Sequence, residues 1–168
     1  MKHIFTILVC LVIGLTSFSQ KIFVVRHAEK ATADANMSGD VSLSEKGKRR
    51  AEALREALAD ETINAIYSTN TIRTKSTAQP TADKRGITIE TYGPRPDSAF
   101  IASVLASGKN VLIVGHSNTI DDVVNLIMGE ERIEGDLDES QYDNLFEITI
   151  KQDKKKLERK KYGETNAN

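Results

Sequence analysis

Two short apolar runs constrain the fold more than any other feature of the sequence. Ile22–Val25 (IFVV) and Val111–Val114 (VLIV) are rich in β-branched residues and too short to be helices. Continuous apolar runs of this length are typical of strands buried on both faces, as in the parallel sheet of an α/β protein. Each run is followed by a polar segment, which contains Arg26 and His27 in one case and His116 in the other.

Two of the three histidines therefore occupy equivalent positions, because His27 and His116 each follow the carboxyl end of a buried strand. Ligands of open α/β sheets bind beyond the carboxyl ends of the strands. If the two strands are parallel neighbours, the imidazoles face each other across one crevice. Either histidine alone would be an ordinary polar residue at a strand end, but the pair, with Arg26 beside one of them, predicts a functional site.

Strands and helices alternate along the rest of the chain. This pattern predicts a three-layer α/β/α sandwich with a mostly parallel sheet. The remaining elements are predicted as strands at 63–68 and 87–92, helices that begin at Ser44, at Asp97 and near Thr119, and a C-terminal antiparallel edge hairpin at 144–150 and 156–162. Ala31–Val41 is a polar loop of small residues, long enough to border a site.

The helix that follows the second strand contains a proline. Pro80 removes a backbone donor and clashes with the preceding turn, so we expect a kink or a break there. Arg73 lies just before this helical segment and beyond the end of the strand 63–68. It is therefore expected at the same sheet edge as the two histidines.

The N-terminus has the pattern of a secretory signal peptide. Lys2 supplies a positive charge, Ile4–Leu15 is an apolar run too short to span a bilayer, and small residues precede a cleavage site near Ser19–Gln20. Cys10 lies inside the apolar run and not at its end, which excludes a lipid-anchor cysteine. We expect residues 1–19 to be removed, residues 20–163 to form the domain, and residues 164–168 to be a flexible tail. The exported protein would be periplasmic or secreted.

Composition excludes several classes of function. The formal charge is −1 and both signs are intermixed, so nucleic acid is not an expected partner. The only cysteine lies in the predicted signal peptide, which excludes thiol and disulfide chemistry from the mature domain. His27, Glu29, His116 and Asp121 have no familiar metal-ligand spacing, so no metal and no cofactor is expected. We expect a monomer without a stable membrane anchor.

Two arginines and two histidines at one sheet edge indicate a site for a tetrahedral oxyanion. The guanidinium groups of Arg26 and Arg73 match phosphate oxygens and stay charged at every relevant pH. A neutral imidazole is a competent nucleophile that forms a covalent intermediate. Phosphoryl transfer requires in-line attack and neutralisation of charge on the equatorial oxygens, which these side chains can supply without a metal.

At this point the sequence resembles the histidine phosphatase superfamily, the phosphoglycerate-mutase-like phosphatases, and in particular its short exported bacterial type. Four motifs carry the resemblance, in order along nearly the whole mature chain: Arg26–Glu29 (RHAE), Leu43–Gly47 (LSEKG), Tyr67–Thr69 (YST) with Arg73–Thr74, and Val114–His116 (VGH). The resemblance implies that His27 is the phosphorylated nucleophile. It also implies that Arg26, Arg73 and His116 form the phosphate pocket.

The acid that would protonate the leaving oxygen is not assigned by the sequence. In one branch of the family it directly follows the second histidine, where this chain has Ser117. In the other branch it comes from the region between the middle strands, where Glu90 and Asp97 lie without a matching motif. Asp97 is equally well explained as a helix cap, and Glu29 as a structural residue of its loop.

The leading hypothesis is an exported, metal-independent phosphomonoesterase. A mutase is an alternative, although its closed pocket requires extra segments that this chain lacks, since the loop Tyr92–Asp97 is short. A phosphoester-binding module without catalytic activity is a second alternative, because the acid is unassigned. The substrate class stays open among sugar phosphates, envelope glycan phosphates, nucleotides and phosphoproteins.

Overall fold

A computed structural model describes residues 19–31, 40–152 and 154–165. The described residues contain one six-stranded sheet with the strand order β3-β2-β4-β1-β5-β6. The strands are β1 (Ser19–Arg26), β2 (Ala65–Thr69), β3 (Ile89–Tyr92), β4 (Val111–Gly115), β5 (Asn144–Lys151) and β6 (Lys154–Lys161). The helices are α1 (Glu45–Ala57), α2 (Ile72–Arg85), α3 (Ser98–Ala106) and α4 (Ile120–Met128).

The sheet confirms the predicted α/β class and its layering. Strand β1 pairs with β4 in parallel, and Arg26 is aligned with Gly115. Alternate side chains of β1 enter the two halves of the core: Ile22 and Val24 pack with α3 and α4, while Phe23 and Val25 pack with α1 and α2. This burial on both faces explains why the strand is apolar at every position. The two strands that precede His27 and His116 are thus parallel neighbours, which is the condition for the two imidazoles to share one crevice.

Helix α1 begins as the sequence indicates and passes very close to the segment after β1. Ser44 caps the helix by accepting a hydrogen bond from the backbone N–H of Gly47. A Cβ atom at Gly47 would lie 2.2 Å from the backbone oxygen of Glu29, a distance that no side chain can occupy. The glycine therefore allows the helix to pack directly on the loop that carries His27.

The sequence predicted a kink or a break at Pro80. The break is absent, because α2 continues from Ile72 to Arg85 with Pro80 inside it. The proline costs about 3 kcal/mol in a helix interior. Packing offsets this cost, since Thr77, Ala78, Thr81 and Ala82 are all buried. The helix also starts earlier than predicted, at Ile72, so Arg73 lies in its first turn.

The C-terminal strands form the predicted antiparallel hairpin at one edge of the sheet. Strand β6 pairs with β5 and lies at the edge of the described sheet; it begins at Lys154, two residues before the predicted start. Gln152 adopts a positive φ of 55° in the turn. The outer strand is rich in lysine and largely exposed to solvent, as expected for a solvated edge.

Three predicted segments lie wholly or partly outside the described residues. The residues concerned are 1–18 of the predicted signal peptide, 32–39 of the polar loop and 166–168 of the predicted tail. Glu164 belongs to the predicted tail, but its carbonyl accepts a hydrogen bond from Arg50 at 3.0 Å. Within the ranges that the structure describes, no helix is both long and apolar enough to cross a membrane.

Candidate active site

The first imidazole is fixed by backbone groups at the end of β1. The backbone N–H of His27 donates to the carbonyl of Gly115 at 2.9 Å, which extends the β1–β4 ladder by one bond. The ring atom Nδ1 lies 2.8 Å from the carbonyl oxygen of Ala28. Because a carbonyl only accepts hydrogen bonds, Nδ1 carries the proton of the neutral ring. The lone pair is therefore on Nε2.

The environment keeps this ring neutral. His27 is only 4% exposed. Burial lowers the pKa of His27 to about 2, with smaller contributions in the same direction from the charges of Arg26, His116 and Arg73, and the bond to Ala28 opposes them. A nucleophilic lone pair is thus present at every physiological pH.

The second imidazole faces the first across the crevice. The ring centroids of His27 and His116 are 5.4 Å apart, in an edge-to-face arrangement. Nδ1 of His116 lies 3.3 Å from Nη2 of Arg73, and a guanidinium can only donate. The proton of the neutral ring is therefore on Nε2, which donates to Oγ1 of Thr69 at 2.8 Å. Burial, followed by the charges of Arg73 and Arg26, lowers the pKa of His116 to about 4.

Arg73 reaches the site from the first turn of α2 and is connected to the nucleophile's loop. The hydroxyl of Thr77 donates a hydrogen bond to the carbonyl of Arg73, and Oγ1 of Thr77 accepts one from the backbone N–H of Ala28. Arg73 is 8% exposed. The helix thus fixes both a guanidinium and the backbone beside His27.

Arg26 is the most buried cation of the site, with 2% of its surface exposed. Its Nη1 donates to the carbonyls of Asp138 and Glu139, and its Nη2 donates to Oε2 of Glu139 at 2.5 Å and to the hydroxyl of Tyr142 at 3.3 Å. The guanidinium also stacks on the Tyr142 ring, 4.0 Å from its centroid. The loop between α4 and β5 therefore holds this arginine.

The carboxylate of Glu139 bridges two residues of the site. Its Oε2 binds Arg26, and its Oε1 accepts a hydrogen bond of 2.5 Å from the hydroxyl of Ser117, directly after His116. Burial alone would raise the pKa of Glu139, but the bond from Ser117 and the charge of Arg26 hold that pKa below its ordinary value. Glu139 is therefore ionised at neutral pH.

One open cleft of about 790 Å³ at the carboxyl edge of the sheet is lined by Arg26, His27, Arg73, His116 and Glu139. The volume falls within the range of pockets that bind small molecules. The structure brings together all four residues that the sequence placed at the site, Arg26, His27, Arg73 and His116. The other charged and polar residues of the wall are Lys30, Asp40, Thr71, Arg95, Asp97, Ser117, Asn118, Thr119 and Glu139.

The three carboxyl groups considered as the acid have different positions. Asp97 lines the cleft, and it also caps α3 by accepting from the backbone N–H of Phe100 at 2.7 Å. Glu90 is exposed on β3 and is not part of the cleft wall. Glu29 forms a bidentate pair with Arg50, with N–O distances of 2.8 to 3.0 Å, which is a structural role.

Sequence reasoning did not identify Glu139, Tyr142 or Thr69 as residues of the site. Glu139 and Tyr142 lie more than 110 residues from Arg26 in the sequence, in a segment without helical or strand periodicity. Thr69 closes the YST motif, so its position at a strand end was a usable signal. Among the described residues, no cluster of three or more potential metal ligands is present.

Comparison with known proteins is consistent with this arrangement. Residues 22–93 match the family described as the histidine phosphatase superfamily (branch 1), a segment that contains Arg26, His27 and Arg73. No curated protein gave a significant sequence match.

Several solved structures have a similar fold. A candidate phosphohistidine phosphatase, SixA from Agrobacterium tumefaciens, is 24% identical with a TM-score of 0.61, over 82% of this chain and 95% of that one. The mycobacterial glucosyl-3-phosphoglycerate phosphatase is 14% identical with a TM-score of 0.62, over 78% and 90%. A phosphoglycerate mutase from Bacillus anthracis is 14% identical with a TM-score of 0.62, over 84% and 92%. At these identities the likeness establishes the fold.

Proposed function

We propose that this chain, whose residues 22–93 match the histidine phosphatase superfamily, is a member of that superfamily and hydrolyses phosphate monoesters through a phosphohistidine on His27 and without a metal ion. One observation carries the proposal: the Nε2 lone pair of His27 is preserved by the bond from Nδ1 to Ala28, in a cleft that also contains two arginines and a second imidazole. A fixed, neutral imidazole beside oxyanion-binding cations is the arrangement that covalent phosphoryl transfer requires.

In the first step, Nε2 of His27 attacks the phosphorus atom and the bond from phosphorus to the ester oxygen breaks. The ring keeps its proton on Nδ1, and the Ala28 carbonyl, which accepts the hydrogen bond from this N–H, stabilises the positively charged ring that forms. Arg26 and Arg73 neutralise the charge on the equatorial oxygens. The alcohol leaves after it takes one proton, and Asp97 is the cleft carboxyl that we assign as its source.

In the second step, a water molecule gives one proton to the Asp97 carboxylate and attacks the phosphorus atom of the phosphohistidine. The N–P bond breaks, which releases inorganic phosphate and restores neutral His27 and protonated Asp97. His116 supports both steps as a donor to the phosphoryl group. Burial and the charges of Arg73 and Arg26 lower the pKa of His116 to about 4, and a bound dianion raises the pKa of a neighbouring imidazole. Bound substrate therefore favours the protonated form of His116.

Hydrolysis of para-nitrophenyl phosphate in the presence of EDTA tests the proposal. We expect wild-type turnover in EDTA, no measurable turnover for His27→Ala, and a loss of about 10²–10³-fold for Arg73→Ala. Arg132→Ala is the matched control, because Arg132 is exposed, pairs with exposed Glu130 and is not part of the cleft wall. Near-normal activity in His27→Ala would exclude the covalent mechanism.

Trapping of the intermediate provides independent support. Rapid quenching with radiolabelled substrate should give a phosphoprotein whose label is stable in base and labile in acid. His27→Ala should give no label, and Arg132→Ala should give the wild-type amount. A label that is stable in acid would place the phosphoryl group on another type of residue.

The cleft volume suits a small phosphorylated substrate such as a sugar phosphate, or the phosphorylated residue of a protein. The structural neighbours include an enzyme named for glucosyl-3-phosphoglycerate, which supports a small-molecule substrate class. A panel of phosphorylated metabolites and envelope glycan phosphates, assayed by phosphate release, would rank these classes. Interconversion of phosphoglycerates without phosphate release would instead indicate a mutase.

Export is part of the proposal, with cleavage near Ser19–Gln20. Nε2 of Gln20, the expected first residue of the mature chain, donates to the carbonyls of Val104 and Lys109 and so anchors the start of β1. N-terminal sequencing of the protein recovered outside the cytoplasm should begin at Gln20. A mature protein that begins at Met1 would refute export.

A further inference from the structure

The terminal donors of Arg26, on Nη1 and Nη2, are already occupied within the protein. All four terminal N–H groups have an acceptor: the carbonyls of Asp138 and Glu139, the carboxylate of Glu139 and the hydroxyl of Tyr142. The remaining N–H, on Nε, has no hydrogen-bond partner, but it is buried and is not exposed to the cleft. If Arg26 binds the phosphoryl group of a substrate, one of these acceptors must first leave.

The Glu139 carboxylate is the acceptor that can leave most easily. Two of the others are backbone carbonyls, and the Tyr142 ring is stacked beneath the guanidinium. The Glu139 side chain is 58% exposed, so water can solvate it as soon as it moves outward. It also lines the open cleft.

The two oxygens of Glu139 mark where an oxyanion binds. One oxygen accepts from Nη2 of Arg26 and the other from Oγ of Ser117, both at 2.5 Å. Arg26 and Ser117 are almost fully buried, at 2% and 5% exposed, so their positions are fixed by packing. Two fixed donors that hold both oxygens of a carboxylate can equally hold two oxygens of a phosphoryl group.

We propose that Arg26 and Ser117 form a two-donor seat for the substrate's phosphoryl group, and that the Glu139 carboxylate occupies this seat until the substrate displaces it. This inference rests on the proposed function, because it names two contacts of the same phosphoryl group. It makes Ser117 a phosphate-binding residue. It also makes Glu139 an internal competitor that sets how tightly an oxyanion binds.

Because Glu139 competes with the phosphoryl group whereas Ser117 binds it, substitutions of these two residues should change the Kd for phosphate in opposite directions. Without its charge, residue 139 binds Arg26 less tightly, so a phosphoryl group displaces it at lower concentration. Glu139→Gln keeps the size of the side chain, and we expect it to lower the Kd for inorganic phosphate about tenfold, which corresponds to about 1.4 kcal/mol. Ser117→Ala removes a donor from the seat, so we expect about tenfold weaker binding in the Glu139→Gln background. In the wild-type background the loss should be smaller, because Ser117 also anchors the competitor.

Titration calorimetry with inorganic phosphate on full-length wild type, both single variants and the double variant tests this coupling. The inhibition constant of phosphate against para-nitrophenyl phosphate hydrolysis provides a second measurement. Glu134→Gln is the matched control, because it removes the same charge from an exposed position of the same loop. We expect phosphate binding by this control to equal that of the wild type.

The results that would contradict the two-donor seat differ from those that would contradict the proposed function. If wild type hydrolyses aryl phosphate but Glu139→Gln binds phosphate equally or more weakly, the seat is wrong and Glu139 only positions Arg26. If Glu134→Gln tightens binding as much, the effect is one of net charge and the seat is also wrong. A wild type that neither binds phosphate nor hydrolyses the ester would overturn the proposed function together with this inference.

Discussion

Replacement of Arg50 by alanine should destabilise the protein and disturb the loop that carries the nucleophile. Arg50 is 3% exposed and forms three short hydrogen bonds with the carboxylate of Glu29, two residues after His27. It also donates to the carbonyls of Tyr162 at 3.1 Å and Glu164 at 3.0 Å. The alanine variant leaves this carboxylate without its principal partner.

The magnitude follows from the burial of the two partners. Removal of one member of a fully buried ion pair costs about 3–5 kcal/mol. The Glu29 side chain is 13% exposed, and Lys46 at 3.6 Å supplies part of the lost charge. We therefore expect a loss of about 2–3 kcal/mol, or a Tm lower by roughly 5–10 °C for a chain of this size.

Urea denaturation at pH 7 measures this loss, and Arg49→Ala is a close control. Arg49 precedes Arg50, but its side chain is 63% exposed and its pair with Glu164 is long, at 3.5 Å. The control should change stability by less than about 0.5 kcal/mol. Burial alone would raise the pKa of Glu29, but the hydrogen bonds from Arg50 hold that pKa below its ordinary value. The pair's contribution is therefore complete above about pH 4.5 and is lost as the pH falls through the native pKa. Equal stability of the two variants at pH 7 would refute this reasoning.

Three further outcomes are expected. The pKa of His27 is about 2 and that of His116 about 4 in the folded protein, so between about pH 6.5 and these values only the unfolded chain takes up the two protons. The free energy of unfolding, measured by urea denaturation, should therefore fall with decreasing pH by up to about 1.4 kcal/mol per pH unit for each ring. A free energy of unfolding that does not change between pH 6.5 and 4.5 would contradict this. Gly47→Ala should cost about 1–3 kcal/mol and lower kcat, because its Cβ meets backbone, and wild-type melting and activity would contradict the close approach. Asp97→Asn should lower kcat/KM for alkyl phosphates far more than for aryl phosphates, whereas Glu90→Gln should change neither; equal losses for both leaving groups would exclude Asp97 as the acid.

The central part of the site was predictable because it depends on strand ends. His27 and His116 each follow an apolar run, and parallel strands place their carboxyl ends at one edge. The cap at Ser44 was equally local, since an N-cap serine acts on the helix that it precedes. Such features need only a short segment of sequence and one rule of geometry.

Other features depended on contacts that no local pattern encodes. Glu139 and Tyr142 reach Arg26 from an irregular loop, where neither periodicity nor a turn signature fixes the direction of a side chain. Pro80 was expected to interrupt α2, but its cost is local whereas the packing that offsets it involves α1 and the sheet. The tautomers of the two imidazoles likewise depend on their partners, Ala28 for one and Arg73 for the other.

The lysine-rich strand β6 also affects how one molecule meets another. A free strand edge exposes unpaired backbone groups and is a template for a further strand. Pairing of β6 from two molecules would bring two rows of lysines within about 4.8 Å, well inside the ~8 Å Debye length of physiological salt. The opposite edge of the sheet, β3, has only four residues. Growth of the sheet into a larger assembly is therefore opposed by charge repulsion at one edge and by the short length of the strand at the other.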